Sequence, residues 1–387
     1  MQNTFITKIQ FVKVRHLTNV EITLSETERQ HLILTGKNGS GKTSLLEAIR
    51  DFVIEHQFKT NQKQEGGRVI NELFNAQMRV NKEFQGVSVD FSGNISNLFG
   101  VTFAYLSAGR GSLLVPKAIE SIEEWGKTYI SRNASKDFLN YILNLYVQYL
   151  SAKDTGKSSI EVEQYQAWFV RFTQALRDIY GCQSLELKPD MKDLAFYIEL
   201  PGREPFGLHE MSDGYTAFLE ILMELLMRME IGSGVVDYNQ SAIVLIDEIE
   251  THLHVELQKR ALPFLTQMFP CVQFIVATHS PFVITSLSNA VVYDLEKHEQ
   301  LENPSYYSYE AVVESFLDTD MYSEEMKRQF SIYKELCFKI DRSEEENEEF
   351  LRIKTELELM SPASKELFIA FRALEQKRKE AKNDQAN

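Results

Sequence analysis

The sequence predicts an α/β fold: a largely parallel sheet flanked by helices, with an antiparallel β subdomain before it, a helical lobe inserted into it and a helical tail after it. A glycine-rich octapeptide, residues 36–43, lies between an apolar segment and residues with apolar side chains at helical spacing. Two continuous apolar runs, residues 242–246 and 272–277, enclose a helix-like stretch, which is typical of buried parallel strands joined by a helix. Residues 302–387 are charged and helix-prone, without strand-like runs.

The length and composition are those of an ordinary globular protein. The chain has 387 residues, of which 43% are hydrophobic and 25% are charged, and its length favours two domains. No apolar run approaches the roughly 20 residues that cross a bilayer, and the first residues lack the basic flank, apolar core and cleavage site of a signal peptide. We therefore expect a cytoplasmic protein with no membrane partner.

The spacing of the cysteines and the net charge argue against a disulfide framework, a zinc site and direct binding of DNA. Cys182, Cys271 and Cys337 lie far apart and form no CxxC pair, which argues against a disulfide framework and a zinc site and fits a reducing cytoplasm. The formal net charge is -15, whereas a protein that grips duplex DNA by itself usually carries a basic face. Any contact with DNA is therefore expected to run through a partner.

The individual elements follow from hydrophobic periodicity and turn residues. Residues 112–182 are predicted to form the helical lobe, and a long buried helix is predicted after residue 213. We expect one head domain over residues 1–301 and a tail for assembly or partner docking over residues 302–387. Beyond the two apolar runs, the predicted strands are residues 8–14, 19–25, 31–35, 86–91, 101–106, 184–187 and 194–200.

The glycine-rich octapeptide predicts a phosphate-binding loop, since it matches GxxxxGK(S/T) in full between a predicted strand and a helix. Backbone N–H groups of such a loop wrap a phosphate, and the helix N-terminus adds partial positive charge. We expect Lys42 to reach the β- and γ-phosphates of ATP and the Thr43 hydroxyl to ligate Mg²⁺, with Ser44 next to them in the nucleotide site. A chance glycine-rich turn is the alternative. The octapeptide is Gly36, Lys37, Asn38, Gly39, Ser40, Gly41, Lys42 and Thr43.

An acidic pair, Asp247 and Glu248, directly follows the apolar run 242–246. Ligands bind at the carboxyl ends of the strands in an α/β sheet. We expect Asp247 to hold Mg²⁺ through water and Glu248 to orient or polarise the attacking water, because phosphoryl transfer needs mainly positioning and charge stabilisation. Two solvated acids at an exposed strand end are the alternative, which the complete phosphate loop upstream disfavours.

Two further motifs resemble those of ABC-type P-loop ATPase heads. Met211-Ser212-Asp213-Gly214 looks like the family's signature at the start of a helix, and Thr278-His279-Ser280-Pro281 stands where the family has its switch histidine. The order of phosphate loop, signature, acidic pair and histidine covers residues 36–281. The segments NGSGKTSLLEAI and DEIETHLH resemble RecF-like and overcoming-lysogenization-defect-type ATPases more than transporter subunits.

The resemblance implies a site completed by two copies of the chain. Ser212 and the N–H groups at Gly214 would form an anion site facing the γ-phosphate bound by the opposite subunit. His279 would contact the γ-phosphate and act with Glu248 in catalysis, and the chain would form a homodimer or a higher even-numbered homo-oligomer. An ordinary helix N-cap at Ser212 and a structural histidine at the strand end are the alternatives.

The sequence departs from the family's pattern in its lid loop. The family has a glutamine there, whereas this chain has Tyr105-Leu106-Ser107-Ala108-Gly109-Arg110, in which Arg110 can replace the glutamine as a charged nucleotide contact or can be a surface arginine. The adenine contact is open between Phe11 and Arg15, and Phe11 is expected in the core. His252 and His254, near Glu250, are expected at an interface between heads rather than at a metal site.

The remaining features resemble the ATPase component of antiphage systems, the PtuA-type ATPases of Septu and retron-linked systems, which work with an HNH nuclease. The segment between phosphate loop and signature has no long heptad arms, and Asp318-Thr319-Asp320 is expected at a helix start rather than in a nuclease metal site. We expect a regulatory ATPase that controls a separate HNH-like nuclease. A RecF-like DNA-repair ATPase that binds DNA directly is the alternative, followed by a self-contained nuclease.

Overall fold

The computed structural model divides into two compact units, residues 1–317 and 318–387. Among the residues that it describes, no helix is both long enough and apolar enough to span a bilayer. The described residues are 4–65, 84–92, 101–108, 138–154, 159–229, 238–317, 323–339, 341–358, 371–374 and 376–377.

The secondary structure alternates strands and helices through most of the first unit. The strands are β1 (Ile6–Val14), β2 (Leu17–Thr23), β3 (His31–Thr35), β4 (Phe84–Gln85), β5 (Ser88–Phe91), β6 (Thr102–Leu106), β7 (Glu186–Asp190), β8 (Ala195–Glu199), β9 (Phe206–Gly207), β10 (Ala242–Ile246), β11 (Val272–Ala277), β12 (Ala290–Asp294) and β13 (Glu299–Glu302). The α-helices are α1 (Lys42–Glu65), α2 (Phe138–Asp154), α3 (Ser159–Tyr180), α4 (Asp213–Arg228), α5 (Val255–Met268), α6 (Pro281–Ile284), α7 (Tyr309–Ala311), α8 (Glu324–Cys337) and α9 (Glu344–Glu358). Single turns of other helical types lie at Leu208–Glu210, Pro304–Tyr306 and Val312–Phe316.

A six-stranded sheet of described residues forms the centre of the first unit, in the order β13–β12–β3–β11–β10–β6. The strands from β12 to β6 are parallel, and β13 pairs antiparallel with β12. Alternate residues of β10 face opposite sides: Ile243 and Leu245 join one apolar cluster, and Val244 and Ile246 join another. Burial on both faces explains the continuous apolar runs, and the predicted α/β fold with a parallel sheet is confirmed.

The predicted antiparallel β subdomain lies at the N-terminus. Strand β1 pairs antiparallel with β2 along one edge and with β4 and β5 along the other. Its apolar residues, among them Ile9 and Phe11, pack in the cluster that also holds Leu45 and Ile49 of α1. The subdomain therefore supports the helix that begins inside the phosphate loop.

The lobe contains α2, α3 and an antiparallel sheet in the order β7–β8–β9. Aromatic rings join its layers: Trp168 stacks on Phe172 at 5.2 Å between ring centroids, and Phe169 stacks on Phe196 of β8 at 5.8 Å. The helical lobe predicted over residues 112–182 is helical where it is described, and residues 109–137 lie outside the described part.

Strands β12 and β13 were not predicted from the sequence, although β12 is buried along its whole length. Strand β12 pairs with β3, from Ala290 opposite His31 to Asp294 opposite Thr35. The first unit continues to residue 317, past the expected domain end at residue 301, and Val312 is buried in its main apolar cluster.

The second unit contains α8 and α9, which pack around aromatic side chains. The Ser323 hydroxyl accepts a hydrogen bond from the N–H of Met326 and begins α8. The ring of Tyr333 stacks on Phe350 at 5.1 Å and lies 5.3 Å from Phe371. Most of the described residues of this unit are helical.

Candidate nucleotide-binding site

The phosphate loop follows β3, and three of its glycines have a positive φ. Gly36, Gly39 and Gly41 have φ of 130°, 84° and 100°, values that other residues rarely adopt. A Cβ atom at Gly36 would lie 2.8 Å from Ser40 Oγ, and one at Gly41 would lie 2.7 Å from Leu17 Cδ1. The fold itself therefore requires glycine at these two positions, whether or not a phosphate is bound.

Lys42, near the end of the phosphate loop, is buried. Its Nζ donates hydrogen bonds to the carbonyl oxygens of Gly36, at 2.8 Å, and Lys37, at 3.2 Å. Burial lowers the pKa of the Lys42 ammonium, and neighbouring carboxylates oppose this shift. The opposing carboxylates are Asp247, Glu250, Glu248 and Asp294. The sheet edge thus surrounds one lysine with acids from two strand ends.

Thr43 and Asp247 meet across the sheet edge. The Thr43 hydroxyl donates to Asp247 Oδ2 at 2.8 Å, although 204 positions separate the two residues. Asp247 is buried, and its N–H donates to the carbonyl of Leu106 at the end of β6. A hydroxyl and a carboxylate side by side are the hard oxygen donors that Mg²⁺ prefers, so these residues fit the expected ion.

Glu248 follows Asp247 with a backbone φ of 46°, in the left-handed region. Non-glycine residues rarely adopt this region, and they do so most often at functional sites. The Glu248 carboxylate accepts a hydrogen bond from the Thr251 hydroxyl at 3.2 Å. The unusual backbone turns the chain immediately after the strand and sets the direction of this side chain.

His279 lies two residues after the end of β11. Strand β11 is the one between β3 and β10 in the sheet. Burial lowers the pKa of His279, and the Lys42 charge lowers it further, whereas Glu250, Glu248 and Asp247 raise it. The His279 backbone N–H donates to the carboxylate of Glu250, three residues after Asp247, so the histidine lies at the strand end next to the acidic pair. The sheet thus brings Lys42, Thr43, Asp247, Glu248 and His279 to the carboxyl ends of neighbouring strands.

Glu250 and Asp294 are site residues that the sequence reasoning missed. The Glu250 carboxylate accepts from the Thr278 hydroxyl at 2.7 Å and from the His279 N–H at 2.6 Å. Asp294 is buried at the end of β12, and its Oδ1 accepts from the N–H groups of Glu296 and Lys297. The apolar run that ends in Asp294 could have revealed it; a single carboxylate such as Glu250 has no spacing signal.

The signature residues lie at the start of α4. Ser212 is an exposed N-cap residue with extended backbone, and its side chain makes no capping hydrogen bond. A Cβ atom at Gly214 would lie 2.9 Å from the His252 carbonyl oxygen and 3.3 Å from His254 Cδ2. Within the described part of one chain, the signature therefore packs against the loop after the acidic pair and leaves Ser212 at the surface.

The other predicted residues have varied surroundings. Lys37 Nζ pairs with Glu296 at 3.1 Å, and Ser44 is buried and accepts a hydrogen bond from Arg15 at 2.8 Å. Asn38 is exposed at the tip of the loop, and Phe11 is buried in the core. Three residues named in the sequence analysis lie outside the described residues: Arg110, Asp318 and Asp320.

The chain is similar to a known domain and to several named proteins. The domain model described as "AAA domain, putative AbiEii toxin, Type IV TA system" matches residues 105–285. Septu protein PtuA of Bacillus mycoides (strain KBAB4) is 26% identical over 318 residues, which are 77% of this chain and 41% of that protein. The Retron Ec83 probable ATPase of Escherichia coli is 31% identical over 193 residues, 45% of this chain and 35% of that protein.

Among solved structures, the chain is partly similar to SMC heads. The SmcHead bound to the C-winged helix domain of ScpA gives a TM-score of 0.40 at 14% identity, covering 78% of this chain and all of that chain. The SMC head domain from Thermotoga maritima gives 0.35 at 15% identity, covering 74% and 94%. This chain spans less than half the length of the two curated relatives above. The predicted resemblance is confirmed: the chain is similar to Septu protein PtuA and to the Retron Ec83 probable ATPase. Its largely parallel central sheet, flanked by helices, is the predicted α/β fold.

Proposed function

We propose that the chain binds ATP with Mg²⁺ at the carboxyl edge of the central sheet, hydrolyses it, and pairs head to head with a second copy around it. The observation that carries this proposal is the meeting of Thr43 and Asp247 beside buried Lys42, with Glu248 and His279 at the neighbouring strand ends. Phosphoryl transfer to water requires an ion-binding pair, a phosphate-binding cation and catalytic groups that position the water. Residues suited to all three roles lie at this one edge of the sheet.

The phosphate loop would bind the triphosphate. The N–H groups of the loop and of the first turn of α1 offer hydrogen bonds to phosphate oxygens, and Lys42 would exchange its carbonyl partners for the β- and γ-phosphates. Thr43 and Asp247 would hold Mg²⁺, which neutralises charge on the phosphates. Asn38 and Lys37, which are exposed on the loop, would contact the same phosphates.

Glu248 would orient and polarise the attacking water, and His279 would contact the γ-phosphate. The lowered pKa of His279 favours the neutral imidazole, which can donate one N–H to a phosphate oxygen without adding charge. Both groups act by position, and in this chemistry position accounts for most of the rate.

The pairing of heads would complete the site. Ser212 is exposed at the N-terminus of α4, a helix of 16 residues, so its N–H groups and hydroxyl can meet the γ-phosphate held by another copy. ATP would then join two heads, and hydrolysis would release them. The tail of residues 302–387 would serve assembly or docking of a partner.

The similarity to Septu protein PtuA and to a retron ATPase supports a role in antiphage defence. In that role the nucleotide state would control a separate effector, an HNH-like nuclease, and contact with DNA would run through that partner. The formal charge of -15 agrees with DNA contact by the partner rather than by this chain.

ATP binding and turnover of purified variants test the proposal. Lys42→Ala removes the buried cation, so the affinity for ATP should fall by at least about 100-fold. Glu248→Gln should keep ATP binding and lose turnover. Lys188→Ala, which removes an exposed lysine paired with Glu199 in the lobe, is the matched control and should behave as the wild type. Unchanged ATP affinity in Lys42→Ala would contradict the phosphate-loop role.

A further inference from the structure

Glu250 lies three residues after Asp247, and both of its carboxylate oxygens are committed to the segment that carries His279. Oε2 accepts from the Thr278 hydroxyl at 2.7 Å, and Oε1 accepts from the His279 backbone N–H at 2.6 Å. The Thr278 hydroxyl in turn accepts from the N–H of Ser280 at 3.0 Å. One side chain therefore fixes the peptide groups on both sides of the His279 Cα.

The loop that begins at Glu250 is itself held in shape. Its Leu253 N–H donates to the Glu250 carbonyl at 2.8 Å, and the Leu253 carbonyl accepts from the Gln258 amide at 2.7 Å. The side-chain oxygen Oε1 of Gln258 accepts from the Ser280 hydroxyl at 2.6 Å, which makes a second connection to the segment that carries His279. Two hydrogen-bonded connections therefore link this loop to the segment that carries His279.

The same loop touches the signature helix. The His252 carbonyl lies so close to Gly214 that a Cβ atom there would approach it to 2.9 Å. A shift of the α4 N-terminus must therefore move the loop, and the loop carries Glu250. Such packed contacts transmit small displacements, because close-packed interiors do not absorb them.

We propose that Glu250 is a positioning residue for ATP hydrolysis, which fixes His279 and couples its place to the signature helix of the same subunit. This inference rests on the proposed ATPase function. In this role Glu250 acts through the backbone of His279, to which it is hydrogen-bonded. When a partner's phosphate draws the α4 N-terminus, the loop and Glu250 carry that movement to the histidine of the subunit that supplied the signature.

Glu250→Gln tests the positioning role, because a carboxamide has one accepting oxygen for two donors. The turnover number should fall by about 10- to 100-fold, since misplacement of a positioned group by about 1 Å costs that much. The dissociation constant for ATP and the melting temperature should stay near the wild-type values. Glu250→Asp, which keeps two acceptors on a shorter side chain, should fall between the wild type and Glu250→Gln.

Glu256→Gln is the matched control, since it removes the same charge from an exposed residue of α5 that pairs with Lys259. It should turn over ATP at the wild-type rate. Wild-type turnover in Glu250→Gln, or equal losses of turnover, ATP affinity and melting temperature, would overturn the positioning role. Absence of ATP hydrolysis by the wild type would instead remove the proposed function, so the two failures are distinct.

Discussion

His31 is a buried imidazole on the strand that leads into the phosphate loop. Its Nδ1 accepts a hydrogen bond from the N–H of Phe274 on the neighbouring strand at 3.1 Å. Burial, with a smaller effect of the Arg29 charge, lowers the pKa of His31 to about 4. The folded protein therefore keeps this ring neutral where an exposed histidine would already be charged.

Stability should depend on pH through His31. Between pH 6.5 and about 4 the unfolded chain binds a proton that the folded chain does not, so this residue destabilises the fold as the pH falls, by about 3 kcal/mol in all. His31→Asn keeps an acceptor for the Phe274 N–H and does not titrate. Urea unfolding at pH 7 and pH 4.5 should show a smaller loss of stability in the variant; equal losses would contradict the neutral imidazole.

Single residues of the candidate site were predicted where a motif or the end of an apolar run marks their position. Lys42 and Thr43 were found because the loop motif fixes their positions, and sterics at Gly36 and Gly41 explain why. Glu250 has no such rule, because its role depends on strand β11 ending beside the loop after β10, which is a property of sheet order.

At the scale of elements, β11 joins the central sheet to the N-terminal one. It lies between β3 and β10, and its buried Gln273 reaches the backbone of β1. Gln273 Oε1 accepts from the Ile6 N–H at 2.7 Å, and its amide donates to the carbonyls of Ile6 and Gln30 at 2.9 and 2.8 Å. One polar residue in an apolar run thus fixes the distance between two sheets.

Gln273→Leu should destabilise the fold by about 3 kcal/mol, since it removes three hydrogen bonds of about 1 kcal/mol each and leaves their backbone partners buried. Gln300→Leu is the control, because the exposed Gln300 donates a single hydrogen bond to the Thr23 carbonyl at 2.9 Å. Chemical denaturation of both variants measures the difference. Equal, small effects would mean that Gln273 does not hold the sheets together.

The continuous apolar runs of the central strands β10 and β11 made them predictable. The strands toward one edge of the sheet, β12 and β13, were not predicted. Strands β10 and β11 are buried on both faces and are continuous in apolar residues. Strand β12, of the same length as β10 and also buried throughout, leads into β13, Glu299–Glu302, of which three residues are exposed. The short apolar run of β12, residues 290–293, was therefore a strand signal that the sequence prediction did not use, whereas its pairing with β3 is visible only in the structure.

At the scale of the whole molecule, the proposed function assigns two different surfaces of one site to each head. Buried Lys42, with Thr43 and Asp247, would form the triphosphate side, and exposed Ser212 at the start of α4 would face a second copy. The order of the motifs along the chain led to both proposals. The link between them through His252 and Glu250 required three-dimensional contacts.

Sedimentation velocity of Glu248→Gln, with and without ATP and Mg²⁺, tests the pairing of heads most directly. The variant should sediment as a larger assembly only when ATP is present, because bound and unhydrolysed ATP joins two heads. Adding Ser212→Arg should abolish this increase by blocking the exposed start of α4, whereas adding Ser88→Arg on the exposed edge of β5 should not. A sedimentation coefficient that ATP leaves unchanged, or an increase that survives Ser212→Arg, would contradict the account.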